Sequence, residues 1–308
     1  MDKERYAAGD SNRITREYFD SLLVEMRHLD NVRPDTAVTV FRERFRTPVM
    51  MAALSHLSNV RENGMAELAK GAAAAGACMW CGMGEEQELE EVAATGAKTV
   101  KIIKPYANRE VVYRKMEHAR QCGAVAVGMD IDHQFGADGQ YDNVMGLPMK
   151  AVSTEELKGF VRAAGLPFVV KGVLSVQDAV KCVQAGVSAI VVSHHHGILR
   201  YAVPPLMVLP EIQKAVQGKL DVFVDCGIES GMDVFKALAL GADAVSVGRG
   251  MMEALRESGA AGVTEKINRM TTELAGVMAR TGIPDIGRMD PWVIRTGDSR
   301  FLARATLS

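Results

Sequence analysis

Chemistry-bearing side chains in this sequence stand directly behind short apolar runs. Lys104 follows TVKII, and Asp130, Asp132 and His133 follow AVAVGM. Lys171 ends PFVVK and precedes Gly172. Ser193 ends SAIVVS and opens onto His194, His195, His196 and Gly197. Asp225 ends DVFVD and leads into Cys226-Gly227, while DAVSVG ends at Gly248 before Arg249 and Gly250. The last two segments, CGIESG and GRG, have the make-up of a phosphate cradle. Their glycines permit close backbone approach, and Arg249 offers a guanidinium fork. Glycines that merely turn the chain are the plain alternative. The three histidines, with His133, Asp130 and Asp132, also raise a metal site. Consecutive histidines cannot all face one pocket, however, so no metal is expected. Cys78 and Cys81 form a CxxC inside an apolar run rather than at a helix N-terminus, where packing is the simpler role.

The elements that must position these residues follow from patterning. Eight short runs, PVMMAAL, ACMWC, TVKII, AVAVGM, PFVVK, SAIVVS, DVFVD and DAVSVG, lack strict alternation, as strands buried on both faces do. Between them lie segments with helical periodicity, most ending in Gly. Ser153 with Glu156 and Ser175 with Asp178 have the spacing of helix N-caps. Eight strand–helix periods predict a (β/α)8 TIM barrel. An open doubly wound sheet shares the alternation, but eight regular periods favour closure. No linker-like tract divides the chain, so residues 1–308 are expected to form one domain. Residues 1–47 read as a polar preface and 259–281 as an additional C-terminal helix. In such a barrel the active site lies at the C-terminal strand ends, where the residues that close the apolar runs, from Lys104 to Arg249, fall.

Composition narrows the partners. Lys+Arg 36 against Asp+Glu 38 gives a net charge of −2, which offers no electrostatic footprint for nucleic acid. No apolar run reaches the ~18 residues needed to span a bilayer. The first residues, MDKERYAAGDSNR, lack the apolar core of a secretory signal. Five scattered cysteines do not make a disulfide framework. A cytoplasmic setting and a small-molecule substrate are expected, and the 18 methionines read as core filler.

Two long segments, VVKGVLSVQDAVKCVQAGVSAIVVS (169–193) with PEIQKAV (210–216), and VFVDCGIESGMDVFKALALGADAVSVGRG (222–250), resemble the FMN-dependent α-hydroxy-acid oxidase and dehydrogenase family. The similarity runs from about residue 5 to residue 281 and is densest beyond 167. It implies FMN as cofactor, with its phosphate at Gly227, Gly248 and Arg249 in the segment from Asp225 and Cys226 onward. Lys171 matches the lysine that stabilises negative charge on the flavin, and Ser193 and the Ala52-Ala53 backbone match other flavin contacts. His195 matches the catalytic base and Asp130 the carboxylate that orients it, a sound pairing of imidazole and carboxylate for proton transfer. The resemblance also implies a homo-oligomer, tetramer or octamer.

The departures bear on the substrate. Ile198 stands where the family places an arginine that grips the substrate carboxylate, and FGADGQYD (135–142) contains no second one. Lys104 and Arg5 occupy the positions of two substrate tyrosines, and Glu229 that of a phosphate-loop arginine. Lys104 is therefore the expected substrate contact, and Lys104 or Arg200 the replacement grip on an anion. The expected reaction moves hydride between a hydroxy-acid-like substrate and flavin. An isomerase of the type 2 isopentenyl-diphosphate kind and a flavin-binding protein without hydroxy-acid activity are the alternatives.

Overall fold

A computed structural model describes residues 8–296; Arg5 lies outside them. The eight apolar runs form parallel strands: β1 (Val49–Met51), β2 (Met79–Cys81), β3 (Thr99–Ile103), β4 (Ala126–Asp130), β5 (Phe168–Val173), β6 (Ala189–Val192), β7 (Asp221–Val224) and β8 (Ala244–Val247). Nearly every residue in them is buried, which explains runs without alternation. The strand order is β1-β8-β7-β6-β5-β4-β3-β2. The ring closes between β1 and β2 through a parallel bridge from Leu54 to Cys81 and through Met51 N–H donating to Cys78 O at 2.9 Å. The fold is a (β/α)8 barrel.

The helices are α1 (Gly64–Ala75), α2 (Glu86–Ala93), α3 (Arg109–Gln121), α4 (Thr154–Ala163), α5 (Val176–Ala185), α6 (Pro205–Val216), α7 (Gly231–Ala239) and α8 (Met252–Thr281). Ser153 with Glu156 and Ser230 with Asp233 make reciprocal capping boxes at the starts of α4 and α7. Gly259, at φ 56° and ψ −139°, breaks α8 into the helix of the eighth repeat and a long C-terminal continuation.

The preface is more structured than its polarity suggests. Ser11–Ser21 is a helix, capped by the Asp10 side chain and packed with Thr15 and Phe19 buried. A hairpin of Val38–Val40 with Glu43–Phe45 follows, and Phe41 at its turn packs on Trp80 and Phe223. Leu22–Val24, directly after that helix, pairs antiparallel with Ile294–Thr296 at the end of the described residues.

Register sets the site. In the parallel pairing of β4 with β5, Lys171 lies opposite Asp130. Just beyond, β5 shifts register against β6 between Lys171 and Val173, where Gly172 adopts φ 91°. A Cβ on Gly172 would lie 2.5 Å from Asp132 Oδ2. Glycine there serves both the left-handed backbone and the close approach of Asp132.

Candidate active site

The loops at the C-terminal strand ends bring an ionic cluster around His195. Its Nδ1 lies 2.9 and 3.0 Å from the two oxygens of Asp132 and 3.4 Å from Asp130 Oδ1. Lys104 Nζ donates to Asp130 Oδ2 at 2.7 Å. Lys171 Nζ stands 3.5 Å from Asp225, 3.9 Å from Asp130 and 3.4 Å from His195 Nδ1. On the far side of the ring, His195 Nε2 faces His133 Nε2 at 3.3 Å, and His133 Nδ1 meets Asp142 Oδ2 at 2.9 Å. With both Nδ1 atoms donating to carboxylates, two Nε2 lone pairs would confront each other. A proton shared between them removes the conflict.

The electrostatics agree. Burial opposes a charge on His195, but Asp130 and Asp132 outweigh it and raise its pKa to about 9. Burial also opposes ionisation of Asp130, yet Lys171, His195 and Lys104 hold it well below the usual carboxylate range. Asp132 moves the other way, pushed up by burial first and by the Asp130 charge second. One carboxylate of the pair is thus a firm anion and the other a readier proton acceptor. Burial disfavours the Lys171 charge, but Asp130 and Asp225 more than restore it.

The three consecutive histidines go three ways. His194 is buried; its Nδ1 accepts from Gly197 N–H at 2.9 Å, so Nε2–H donates to Thr15 Oγ1 at 2.8 Å. His196 is exposed. His195 and His196 both sit at positive φ, 46° and 55°, a backbone reversal that directs only His195 inward. The sequence reading assigned Asp130 to orient His195, yet Asp132 is the nearer partner. Asp130 Oδ1 is buried without a hydrogen-bond partner among the described residues. Asp132, His133 and His195 do bring ligand-type atoms within 4.8 Å of one another.

Beside His195 opens a cavity of about 250 Å³. Ala52 and Ala53 line it from β1, Lys171 from β5, and Asp225, Cys226 and Gly227 from β7. Gly248 and Arg249 line it from β8. These residues suit a flavin phosphate and ring. Cys226 and Gly227 both take positive φ, which turns the loop about the cavity. A Cβ on Gly248 would stand 3.3 Å from Ala52 Cβ and narrow the cleft. Arg249 is exposed and has no acidic partner within ion-pair distance among the described residues. Burial and Asp225 push the Cys226 thiol up to about 12, so it is a neutral wall.

Three of the expected site residues have partners that the sequence does not show. Ser193 is buried, its Oγ accepts from His195 N–H at 3.0 Å, and it lies 3.6 Å from Sγ of the cavity-lining Cys226. Lys104, expected to touch substrate, is buried against Asp130 and is not among the residues that line the cavity. Arg200 is not among the residues that line the cavity, and one of its guanidinium N–H groups donates to Ala8 O. Cys78 and Cys81 lie buried at β2; burial raises both thiols, Cys81 to about 12, which fits packing. Sequence reasoning missed Asn12 and Arg16, which line the cavity from the N-terminal helix. It also missed the joint role of His133 and Asp142. The four-residue spacing of Asn12 and Arg16 on a helix started by Asp10 was the available signal.

A barrel with a phosphate-type cleft in its last loops and a buried His–Asp–Lys cluster beside it defines a class of flavin oxidoreductase. The family model of FMN-dependent dehydrogenases matches residues 5–152 and 137–296, and the chain belongs to that family. It is 30% identical to glycolate oxidase of Spinacia oleracea, over 90% of this chain and 86% of that one. It is 26% identical to L-lactate oxidase of Lactobacillus jensenii, over 88% and 74%. A solved mandelate oxidase structure superposes with a TM-score of 0.87 at 28% identity, covering 94% of this chain and 93% of that one. The protein is an FMN-dependent oxidoreductase. These relatives give no support to the isomerase alternative.

Proposed function

We propose that the protein oxidises a small 2-hydroxy acid or closely related hydroxyl compound, with His195 as the base. The observation that carries this reading is the placement of His195. It lines the flavin-type cavity while Asp132 holds its Nδ1. FMN, when bound, supplies the two-electron acceptor. Nε2 of His195 takes the substrate proton, and the Asp130 and Asp132 carboxylates stabilise the imidazolium that results. Lys171, between Asp130 and Asp225, places a buried cation beside the cavity and offsets negative charge arising there. The His195 imidazole takes the substrate proton only when it is neutral, and Asp130 and Asp132 raise the pH at which it becomes so.

The carboxylate end of the substrate meets a different environment from that implied by the resemblance. Ile198 presents an exposed hydrocarbon, Lys104 is engaged and Arg200 points elsewhere. Weak binding of simple hydroxy-acid anions follows, because a bidentate guanidinium contact is missing. An anaerobic screen of 2-hydroxy acids, read as loss of flavin absorbance, tests the proposal. Bleaching by a member of the series supports it. A protein that holds FMN but bleaches with none of them fits the flavin-binding alternative, and a colourless protein that cannot be reconstituted overturns the reading altogether.

A cytoplasmic location and a homo-oligomer, tetramer or octamer, belong to the same proposal. All five cysteines are free, as suits a reducing compartment. The exposed Leu199, Tyr201 and Val203 offer an apolar surface for self-association. Cell fractionation and light scattering of the purified protein check the two points.

A further inference from the structure

The loop after β7 carries a carboxylate into the region where the flavin phosphate would sit. Glu229 is exposed and lines the same cavity as Gly227, Gly248 and Arg249. Among the described residues, a dianion there would face the Arg249 guanidinium and the Glu229 carboxylate, neither of which has an ion-pair partner. A second cation reaches this cavity from another part of the chain. Arg16, on the N-terminal helix Ser11–Ser21, lines it, and its Nη1 donates to Gly227 O at 3.3 Å.

We propose that Arg16 is a phosphate-binding residue of this protein's flavin site, delivered in space where the loop lacks a cation in sequence. The assignment rests on the FMN reading above. Two carboxylates hold the guanidinium in place: Asp233 Oδ1 at 2.9 Å and Asp20 Oδ1 at 2.8 Å, both on Nη2. Nη1 keeps a second N–H that no described group takes. Asp233 also ties Arg16 to the loop itself. Its Oδ2 accepts from Glu229 N–H and Ser230 N–H, each at 3.1 Å. One buried side chain therefore fixes both the loop backbone and the guanidinium, so Arg16 is held in a single geometry beside Gly227. Asn12, one turn earlier, lines the cavity too and donates from Nδ2 to His196 O at 3.1 Å. The helix therefore forms one wall of the flavin site, in addition to its packing role.

Riboflavin, which has no phosphate, separates this role from a merely structural tether. Apoprotein is titrated with FMN and with riboflavin, reading flavin fluorescence, for the wild type, Arg16→Gln, and Arg16→Gln combined with Glu229→Arg. Arg16→Gln is expected to weaken FMN binding about 10- to 100-fold, the range of a charge-assisted contact, and to leave riboflavin binding unchanged. Glu229→Arg, which returns a cation to the loop, is expected to recover FMN affinity in the double variant. Equal weakening for FMN and riboflavin, or unchanged FMN affinity in Arg16→Gln, overturns the assignment. A wild-type protein that takes up neither flavin overturns the FMN reading itself, and the assignment with it.

Discussion

At the scale of single residues, His195 carries the heaviest expectations. His195→Ala should keep bound flavin and lose about 10²- to 10⁴-fold in turnover, the usual worth of a general base. Its pKa of about 9 fixes the direction of the pH profile, because the imidazole accepts a proton only when neutral. Steady-state kcat/KM should therefore climb with pH and level off above about 9. Asp132→Asn removes one of the two carboxylates that raise this pKa, so the rise should move to lower pH. The stability linkage has the opposite slope. A histidine raised above its unfolded value of about 6.5 stabilises the fold fully below that pH and loses the contribution as pH passes 9. Ile198→Arg should lower KM for a 2-hydroxy acid by about tenfold with little change in kcat, since it adds a charge-assisted contact. The residue types at this site were legible, because titratable groups behind buried runs have no structural purpose. Their partners were not. Asp132 lies two residues past β4, and its carboxylate sits where a Cβ on residue 172 would stand, a tertiary approach that its own segment does not reveal. Lys104 looked like a free cation because nothing in its own segment reveals that Asp130 stands 2.7 Å away.

At the scale of elements, the strands could be read because burial on both faces removes alternation, as in β6 and β8. The N-terminal helix could not. Its buried face consists of Ser11, Thr15 and Phe19, so two of the three inward residues are polar. A stripe that hydrogen-bonds inward, as Thr15 does to His194, leaves no apolar signature. Thr15→Val should cost about 1–3 kcal/mol in denaturant unfolding, because it leaves the buried His194 Nε2–H without its acceptor. Phe19→Ala should cost about 3–5 kcal/mol, as for other fully buried aromatic side chains. Gly172→Ala belongs to this scale as well, since it alters a strand register. A Cβ at φ 91° pressed against Asp132 should lower both stability and kcat, measured by thermal unfolding and turnover.

At the scale of the whole molecule, the barrel's closure rests on a few contacts between β1 and β2 that no single segment announces. Eight periods implied a ring, but the bridge from Leu54 to Cys81 is a tertiary fact. The other long-range feature is the short antiparallel pairing of Leu22–Val24 with Ile294–Thr296. Leu22 directly follows the helix that carries Asn12, Thr15 and Arg16, so the strand that ends the described chain secures the wall of the flavin cavity. Local opening at one extremity then unlatches the other. Backbone amides of 15–24 and 294–296 should exchange with deuterium as one cooperative unit, and saturating FMN should slow both together. A cofactor bound at one mouth of the barrel would thereby protect a stretch of chain that it never touches.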